Sequence, residues 1–325
     1  MPEITFLEAL RQGLREEMIR DERVFILGED VGAYGGAFKV TEGFYKQFGE
    51  SRVIDTPIAE AAIVGAAAGA AHMGLRPVAE MQFIDFISCA YDMLTNYVAT
   101  ARYRAGLPTP MVVRGPCGGS VRGGPFHSQN PEAAFLHTPG LKIVYPATAR
   151  DAKGLIKSAI RDDDPVLYLE HKWLYRRIKE DIAEGDDVLT PIGSARIARA
   201  GKDLSIITYG AMVWKSLEAA EQLAAAGIEA EILDLRTLLP LDDAAIEATV
   251  KKTNKVLIVH EDTRTGGLAG EIAARINERA FEWLDGPIMR VTAHDVPLPY
   301  APTLEDFVLP QTEDIVKAAR WLAAY

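Results

Sequence analysis

Cysteine is nearly absent: Cys89 and Cys117 are the only two in 325 residues. Their spacing fits neither a disulfide framework nor a metal knuckle, so a reducing compartment is expected. No uncharged apolar run approaches the roughly 18 residues of a membrane span. The start, Met1-Pro2-Glu3-Ile4-Thr5, lacks the charged-then-apolar layout of a secretory signal, and a cytoplasmic location is the expectation. Blocks rich in lysine and arginine are missing too, and the net charge is -11. Nucleic acid and anionic membrane both require a concentrated positive face, so neither is an expected partner. His72, His137, His171, His260 and His294 form no His-x-x-x-His or His-Glu-x-x-His pairing, which removes the usual zinc patterns. Ser120 and Ser128 lack the Gly-x-Ser-x-Gly elbow of a serine hydrolase.

What is present describes a globular chain, with 48% hydrophobic and 25% charged residues and length enough for two domains. Short β-rich apolar runs alternate with amphipathic helical segments, the pattern of parallel α/β architecture. Strands are expected at 24–27, 78–83, 111–113, 143–145, 166–169, 204–208, 232–234, 256–259 and 289–292. Thr148 with Asp151 reads as a capping box before a helix over 154–160, and Gly227 as the stop of the helix carrying Leu217, Ala220, Leu223 and Ala224. The charge-dense stretch from Lys172 to Gly193, with Glu184-Gly185-Asp186-Asp187 inside it, breaks this rhythm. It divides the chain into an α/β domain over 1–180, a linker over 181–195 and a second α/β domain over 196–325.

Three segments could carry chemistry. In Asp55-Thr56-Pro57-Ile58-Ala59-Glu60, Thr56 suits an N-cap and Pro57 the first helical position. Glu60 then falls in the first turn of a helix made of small residues, where the bland alternative is a carboxylate that merely complements the helix dipole. Glu29, in Leu27-Gly28-Glu29-Asp30, follows the first strand, where open α/β sheets place ligands, and equally suits a turn. The run Arg114 to Gln129 holds five glycines and two prolines, which excludes a regular helix or central strand. It lacks the pattern of a phosphate loop, and it carries His127.

The Glu60 segment, Gly74-Leu75-Arg76-Pro77, Arg114-Gly115-Pro116, His127-Ser128-Gln129, Pro139-Gly140-Leu141-Lys142, Asp151-Ala152-Lys153-Gly154-Leu155 and Leu233-Asp234-Leu235-Arg236-Thr237 occur in one order across the whole chain. Together they resemble the beta subunits of thiamine-diphosphate-dependent 2-oxo acid dehydrogenases. The resemblance implies a thiamine-pyrimidine-binding α/β domain, a parallel sheet flanked by helices, followed by a transketolase-type C-terminal α/β domain. It also implies roles for particular residues. Glu60 would hydrogen-bond N1' of the cofactor's aminopyrimidine ring, Gln82 and Phe86 would pack against that ring, and His127 would serve substrate or lipoyl intermediates. Glu29 would lie near the subunit interface and the cofactor. A structural potassium ion would take backbone carbonyls of Met111 and Ala159 with Asp162 and Asp164, although Asp164 stands where some relatives carry an amide.

The Gly-Asp-Gly signature that holds magnesium and diphosphate in self-sufficient thiamine enzymes is missing, and Gly185-Asp186-Asp187 is the nearest fragment. The resemblance therefore implies an alpha subunit that holds magnesium and the diphosphate, normally in an alpha2-beta2 heterotetramer docked to a lipoyl acyltransferase core. The implied activity is oxidative decarboxylation of a 2-oxo acid, pyruvate or branched-chain, with acyl transfer to a lipoyl group. Two rivals stay open: the beta subunit of an acetoin-cleaving thiamine-diphosphate dehydrogenase, and a non-catalytic assembly subunit.

Overall fold

The computed structural model describes residues 3–183 and 187–325. Met1-Pro2 and the Glu184-Gly185-Asp186 part of the expected linker lie outside the described residues. The chain forms two compact units, one of Met1–Cys117 with Ala134–Ile192, the other of Gly118–Ala133 with Gly193–Tyr325.

The first unit opens with β1 (Glu3–Thr5) and α1 (Phe6–Arg20), then β2 (Val24–Gly28), α2 (Phe44–Phe48), β3 (Val53–Asp55), α3 (Glu60–His72), β4 (Arg76–Glu80), α4 (Ala101–Ala105) and β5 (Val112–Cys117). After the excursion of the chain through the second unit and the short α5 (Glu132–Leu136) come β6 (Lys142–Val144), α6 (Ala149–Arg161), β7 (Val166–His171) and β8 (Lys179–Asp181). Six strands run parallel in the order β6-β7-β5-β4-β2-β3, while β1 and β8 pair antiparallel. Continuous burial of β2, β5 and β7 explains why their sequences are mainly apolar rather than alternating, since a parallel sheet is covered on both faces; Arg114, Glu170 and His171 are the exceptions. Helices α1 and α6 pack so closely that a Cβ on Gly13 would stand 2.7 Å from Ile156 Cγ2. Thr148 caps α6 by accepting from the Asp151 N–H at 3.1 Å. The Asp151 carboxylate accepts from the hydroxyls of Thr148 and Thr190, so this is a one-way cap, and the helix starts earlier than its apolar pattern suggested.

The second unit contains β9 (Arg196–Arg199), β10 (Leu204–Thr208), α7 (Met212–Ala224), β11 (Ala230–Asp234), β12 (Thr237–Leu239), α8 (Asp243–Thr253), β13 (Val256–Thr263), α9 (Leu268–Ala280), β14 (Met289–Ala293), α10 (Pro302–Val308) and α11 (Thr312–Ala324). Its sheet order is β14-β13-β10-β11-β9, parallel except for the antiparallel edge strand β9. Ile315, Val316, Ala319 and Leu322 form the buried stripe of α11, which packs on α7. Gly227 adopts φ 80° three residues past α7 and donates to the Ala224 carbonyl, a left-handed stop that favours glycine.

Candidate active site

Strand β2 passes β4 with Gly28 opposite Glu80, and a Cβ on Gly28 would lie 2.7 Å from the Glu80 carbonyl oxygen. Glu29 follows immediately. The turn behind it is fixed by three hydrogen bonds: Gly36 N–H to the Asp30 carbonyl at 2.8 Å, Gly32 N–H to Asp55 Oδ1 at 2.6 Å and the Thr41 hydroxyl to the Val31 carbonyl at 2.7 Å. From the neighbouring strand β3 the chain stays extended past Thr56, whose N–H donates to the Gly28 carbonyl at 2.9 Å. That bond holds Thr56 to the sheet edge, so neither Thr56 nor Pro57 begins the helix as their types suggested. Ala59 is the cap and Glu60 the first residue of α3.

Glu29 and Glu60 are 6% and 9% exposed, and no described residue donates a hydrogen bond to either carboxylate. Burial, and then the Glu60 charge beside it, hold the Glu29 carboxyl above the usual range. Strand β4 ends at Glu80, earlier than the run of residue types suggested, and the chain turns so that Gln82 Nε2 donates to Asp30 Oδ2 at 3.0 Å. Phe86 is half-buried in the 3-10 turn Ile84–Ala90 that follows. The first unit thus gathers Glu29, Glu60 and Gln82 around the turn at Asp30, with Phe86 on the adjoining segment. An aminopyrimidine fits this set: its amino group and protonated ring nitrogen are donors for acceptors that lack them.

Sequence reasoning missed the group behind this turn. Arg114, fully buried on β5, forks onto Glu170 of β7, with Nε to Oε1 and Nη2 to Oε2 both at 2.5 Å, and pairs with Glu80 of β4. The Tyr175 hydroxyl donates to Glu170 at 2.6 Å. Burial raises the Glu80 carboxyl even with the guanidinium against it. The signal was present in the sequence, where three mainly apolar strands each carry a charge at or toward the C-terminal side of their apolar run, Glu80, Arg114 and Glu170. The network sits under the Glu29 turn, because Glu80 abuts both Gly28 and Gly36.

His127 belongs to the second unit, on the glycine-rich segment 118–131, and is half-buried with its N–H donating to the Gly124 carbonyl at 3.3 Å. Gly118, Ser120, Arg122 and Gly124 all take positive φ, between 62° and 81°. Such a conformation opposes any side chain at Ser120 and Arg122, and persists where surroundings dictate it.

Of the four residues expected to hold potassium, Asp162 and Asp164 share the turn after α6, and cationic side chains already sit on them. Lys142 Nζ is 2.7 Å from both Asp162 carboxylate oxygens, Arg76 donates to the carbonyls of Ile160 and Asp162 at 2.9 Å, and Arg102 pairs with Asp164. The Met111 and Ala159 carbonyls accept from the N–H groups of Val166 and Asp162. An ion here would share every ligand with these donors. Among the described residues, no group of three or more His, Cys, Asp or Glu side chains is arranged to hold a metal ion. No described helix is long and apolar enough to cross a membrane.

Residues 2–177 match the family model of the transketolase pyrimidine binding domain, and residues 193–315 that of the transketolase C-terminal domain. The chain is 49% identical to the 2-oxoisovalerate dehydrogenase subunit beta of Bacillus subtilis (strain 168), over all of both chains. It is 44% identical to the pyruvate dehydrogenase E1 component subunit beta of the same organism, covering 98% of each chain. Identity is also 44% to the mitochondrial pyruvate dehydrogenase E1 component subunit beta-2 of Oryza sativa subsp. japonica, covering 98% of this chain and 86% of that one. Among solved structures, a split gene transketolase described as an inactive beta4 tetramer superposes with a TM-score of 0.81 at 24% identity, covering 99% of both chains, a likeness of fold. A two-domain α/β fold of transketolase type, with full-length relatives of this identity, places the chain in the family of beta subunits of the 2-oxo acid dehydrogenases.

Proposed function

We propose that this chain is the catalytic beta subunit of a thiamine-diphosphate-dependent 2-oxo acid dehydrogenase, acting on a branched-chain 2-oxo acid or pyruvate and passing the acyl group to a lipoyl carrier. The observation that carries the reading is the pair of neighbouring buried carboxylates, Glu29 and Glu60, to which no described residue donates a hydrogen bond. When bound, thiamine diphosphate supplies the acidic thiazolium carbon and the electron sink for decarboxylation. Glu60 would hold a proton at the N1' ring nitrogen, and an enclosed carboxylate suits that task because it competes poorly for solvation. Gln82 would orient the ring's polar edge and Phe86 would pack on it, while Glu29 would take a donor from the cofactor or hold its place at the interface. His127 would donate a hydrogen bond or proton to substrate or lipoyl intermediates.

The diphosphate and its magnesium would be held by an alpha subunit in an alpha2-beta2 assembly, in a soluble compartment and docked to a lipoyl acyltransferase core. A structural potassium at Met111, Ala159, Asp162 and Asp164 would share Asp162 with Lys142 and Arg76, and Asp164 with Arg102. Melting in potassium against sodium buffers tests it, and equal midpoints would remove the ion from the proposal.

The test of function is reconstitution with a cognate alpha subunit, assayed on 3-methyl-2-oxobutanoate and on pyruvate with and without thiamine diphosphate. Cofactor-dependent turnover of either acid by the pair, with none by the beta chain alone, is expected. Turnover that ignores thiamine diphosphate, or none from an assembled complex on either acid, overturns the reading.

A further inference from the structure

The segment 118–131 that carries His127 is held by two acidic side chains from far along the same unit. Glu261, at 6% exposure on β13, accepts from the Gly119 N–H at 2.6 Å and from Asn130 Nδ2 at 3.0 Å, tying the two ends of the segment together. Glu305, at 0% exposure on α10, accepts through Oε1 from the N–H groups of Ser120 at 3.1 Å and Arg122 at 3.3 Å. Its Oε2 takes Arg122 Nη1 at 2.6 Å, and the same guanidinium reaches Asp306 at 2.8 Å and the Pro302 carbonyl at 3.0 Å.

The glycines are fitted to this arrangement. A Cβ on Gly119 would stand 2.7 Å from Leu309 Cδ1, and one on Gly124 would overlap the Tyr300 ring. Ser120 and Arg122 each sit at positive φ, the conformation their side chains disfavour, and both give their N–H to Glu305. Removing either carboxylate would leave backbone donors of one short segment without acceptors, so the loss falls on the shape of that segment.

We infer that Glu261 and Glu305 are positioning residues for His127, a two-point clamp that fixes the glycine-rich segment in its left-handed course. The catalytic consequence rests on the role proposed for His127; the clamp itself does not.

The first test is trypsin cleavage after Arg122 in the full-length chain, followed by mass spectrometry alongside a melting curve. Glu261→Ala leaves the Arg122 ion pairs intact, so faster cutting there reports release of the segment ends; Glu305→Ala releases its middle. Both should be cut at least about tenfold faster than the parent at an unchanged midpoint, and Glu261→Gln, which keeps an acceptor oxygen, should restore most of the protection. Asn130→Ala removes a donor to Glu261 from the other side and is scored the same way if an alanine variant does not fold. Cutting within twofold of the parent in the folded variants overturns the clamp.

The second test is turnover in the reconstituted complex. Glu261→Ala should lower kcat with little change in KM, and the double variant with His127→Ala should be no slower than His127→Ala alone. Additive losses overturn the positioning role. Full activity of His127→Ala would instead remove the catalytic reading of that histidine and leave the cleavage result to decide the clamp.

Discussion

The carboxyls of Glu29 and Glu60 lie close enough that the charge of Glu60 helps to hold Glu29 above its ordinary range, with burial as the larger cause. A ring that brings hydrogen-bond donors to this pair would relieve the repulsion on Glu29.

Replacement of Glu60 by Gln separates binding from chemistry. The amide keeps the volume and a hydrogen-bonding oxygen, yet cannot share a proton with a ring nitrogen. In the reconstituted complex, thiamine diphosphate measured by calorimetry should still bind, while 2-oxo acid turnover should fall by about 100-fold or more. Turnover at the parent rate would end the assignment of Glu60.

Glu29 gives a pH signature in the chain alone. Its folded value lies above the ordinary 4.5, so the folded state keeps a proton that the unfolded chain has lost. Stability should therefore fall as pH rises from 4.5 through the raised folded value, and Glu29→Gln should flatten that part of the profile. Urea midpoints at pH 5 and pH 7.5 check it. An unchanged pH dependence in the variant would contradict the shift.

Arg114 neutralises two buried carboxylates, so its loss should be severe. Arg114→Leu should cost about 3–5 kcal/mol in urea unfolding, because Glu80 and Glu170 remain buried without their cation. Replacing all three by apolar residues of similar volume should recover most of that loss. A single variant as stable as the parent would show that the network contributes nothing.

Glu132 adds a second pH effect, this one in the second unit. Burial first, then Asp262 and Glu261, push its carboxyl up to about 8, although it accepts from the Tyr209 hydroxyl at 2.8 Å. Asp262 is itself raised to about 6, by burial first and with Asp295 and Glu261 adding to it. Below the ordinary 4.5 Glu132 is protonated in both states; between 4.5 and 8 only the folded chain keeps the proton, so stability falls over that window. The slope from one such group is at most about 1.4 kcal/mol per pH unit. Glu132→Gln should remove this contribution in urea titrations between pH 5 and pH 8; an unaltered slope would refute it.

Local residue types were enough to place nine strands, since β-rich runs bounded by turn residues leave few other readings. They failed where a long-range partner set the boundary. The strand through Val78 was read to 83 but stops at Glu80, which is paired with buried Arg114 of the next strand. Thr56 and Pro57 look like a helix start, yet a bond to Gly28 keeps Thr56 extended. Strands β1, β3, β8, β9 and β12 escaped notice because all are short: Asp55 ends β3, for example, and β9 is an edge strand carrying Arg196 and Arg199. The segment around His127 was legible as a loop from its glycines. That reading began it at Arg114, whereas Arg114–Cys117 continue the central strand β5, where pairing with β7 overrides Gly115 and Pro116. The loop's membership of the second unit was not legible, because Gly119 and Glu261 are 142 residues apart and Ser120 and Glu305 are 185 apart.

The sequence alone determined the α/β class, the succession of apolar strands and the candidate residues Glu29, Glu60, Gln82, Phe86 and His127. The class and the strands follow from local periodicity and turn chemistry, whereas the candidate residues were nominated by the family resemblance that motif order carries; neither needs knowledge of the folded contacts. Only the tertiary structure decided that Glu29 and Glu60 lie buried near each other, that Arg114 binds two acids behind them, and that Glu261 and Glu305 accept hydrogen bonds from the His127 segment. Burial and pairing of charges depend on which distant strands become neighbours, and one-dimensional order does not encode that distance directly.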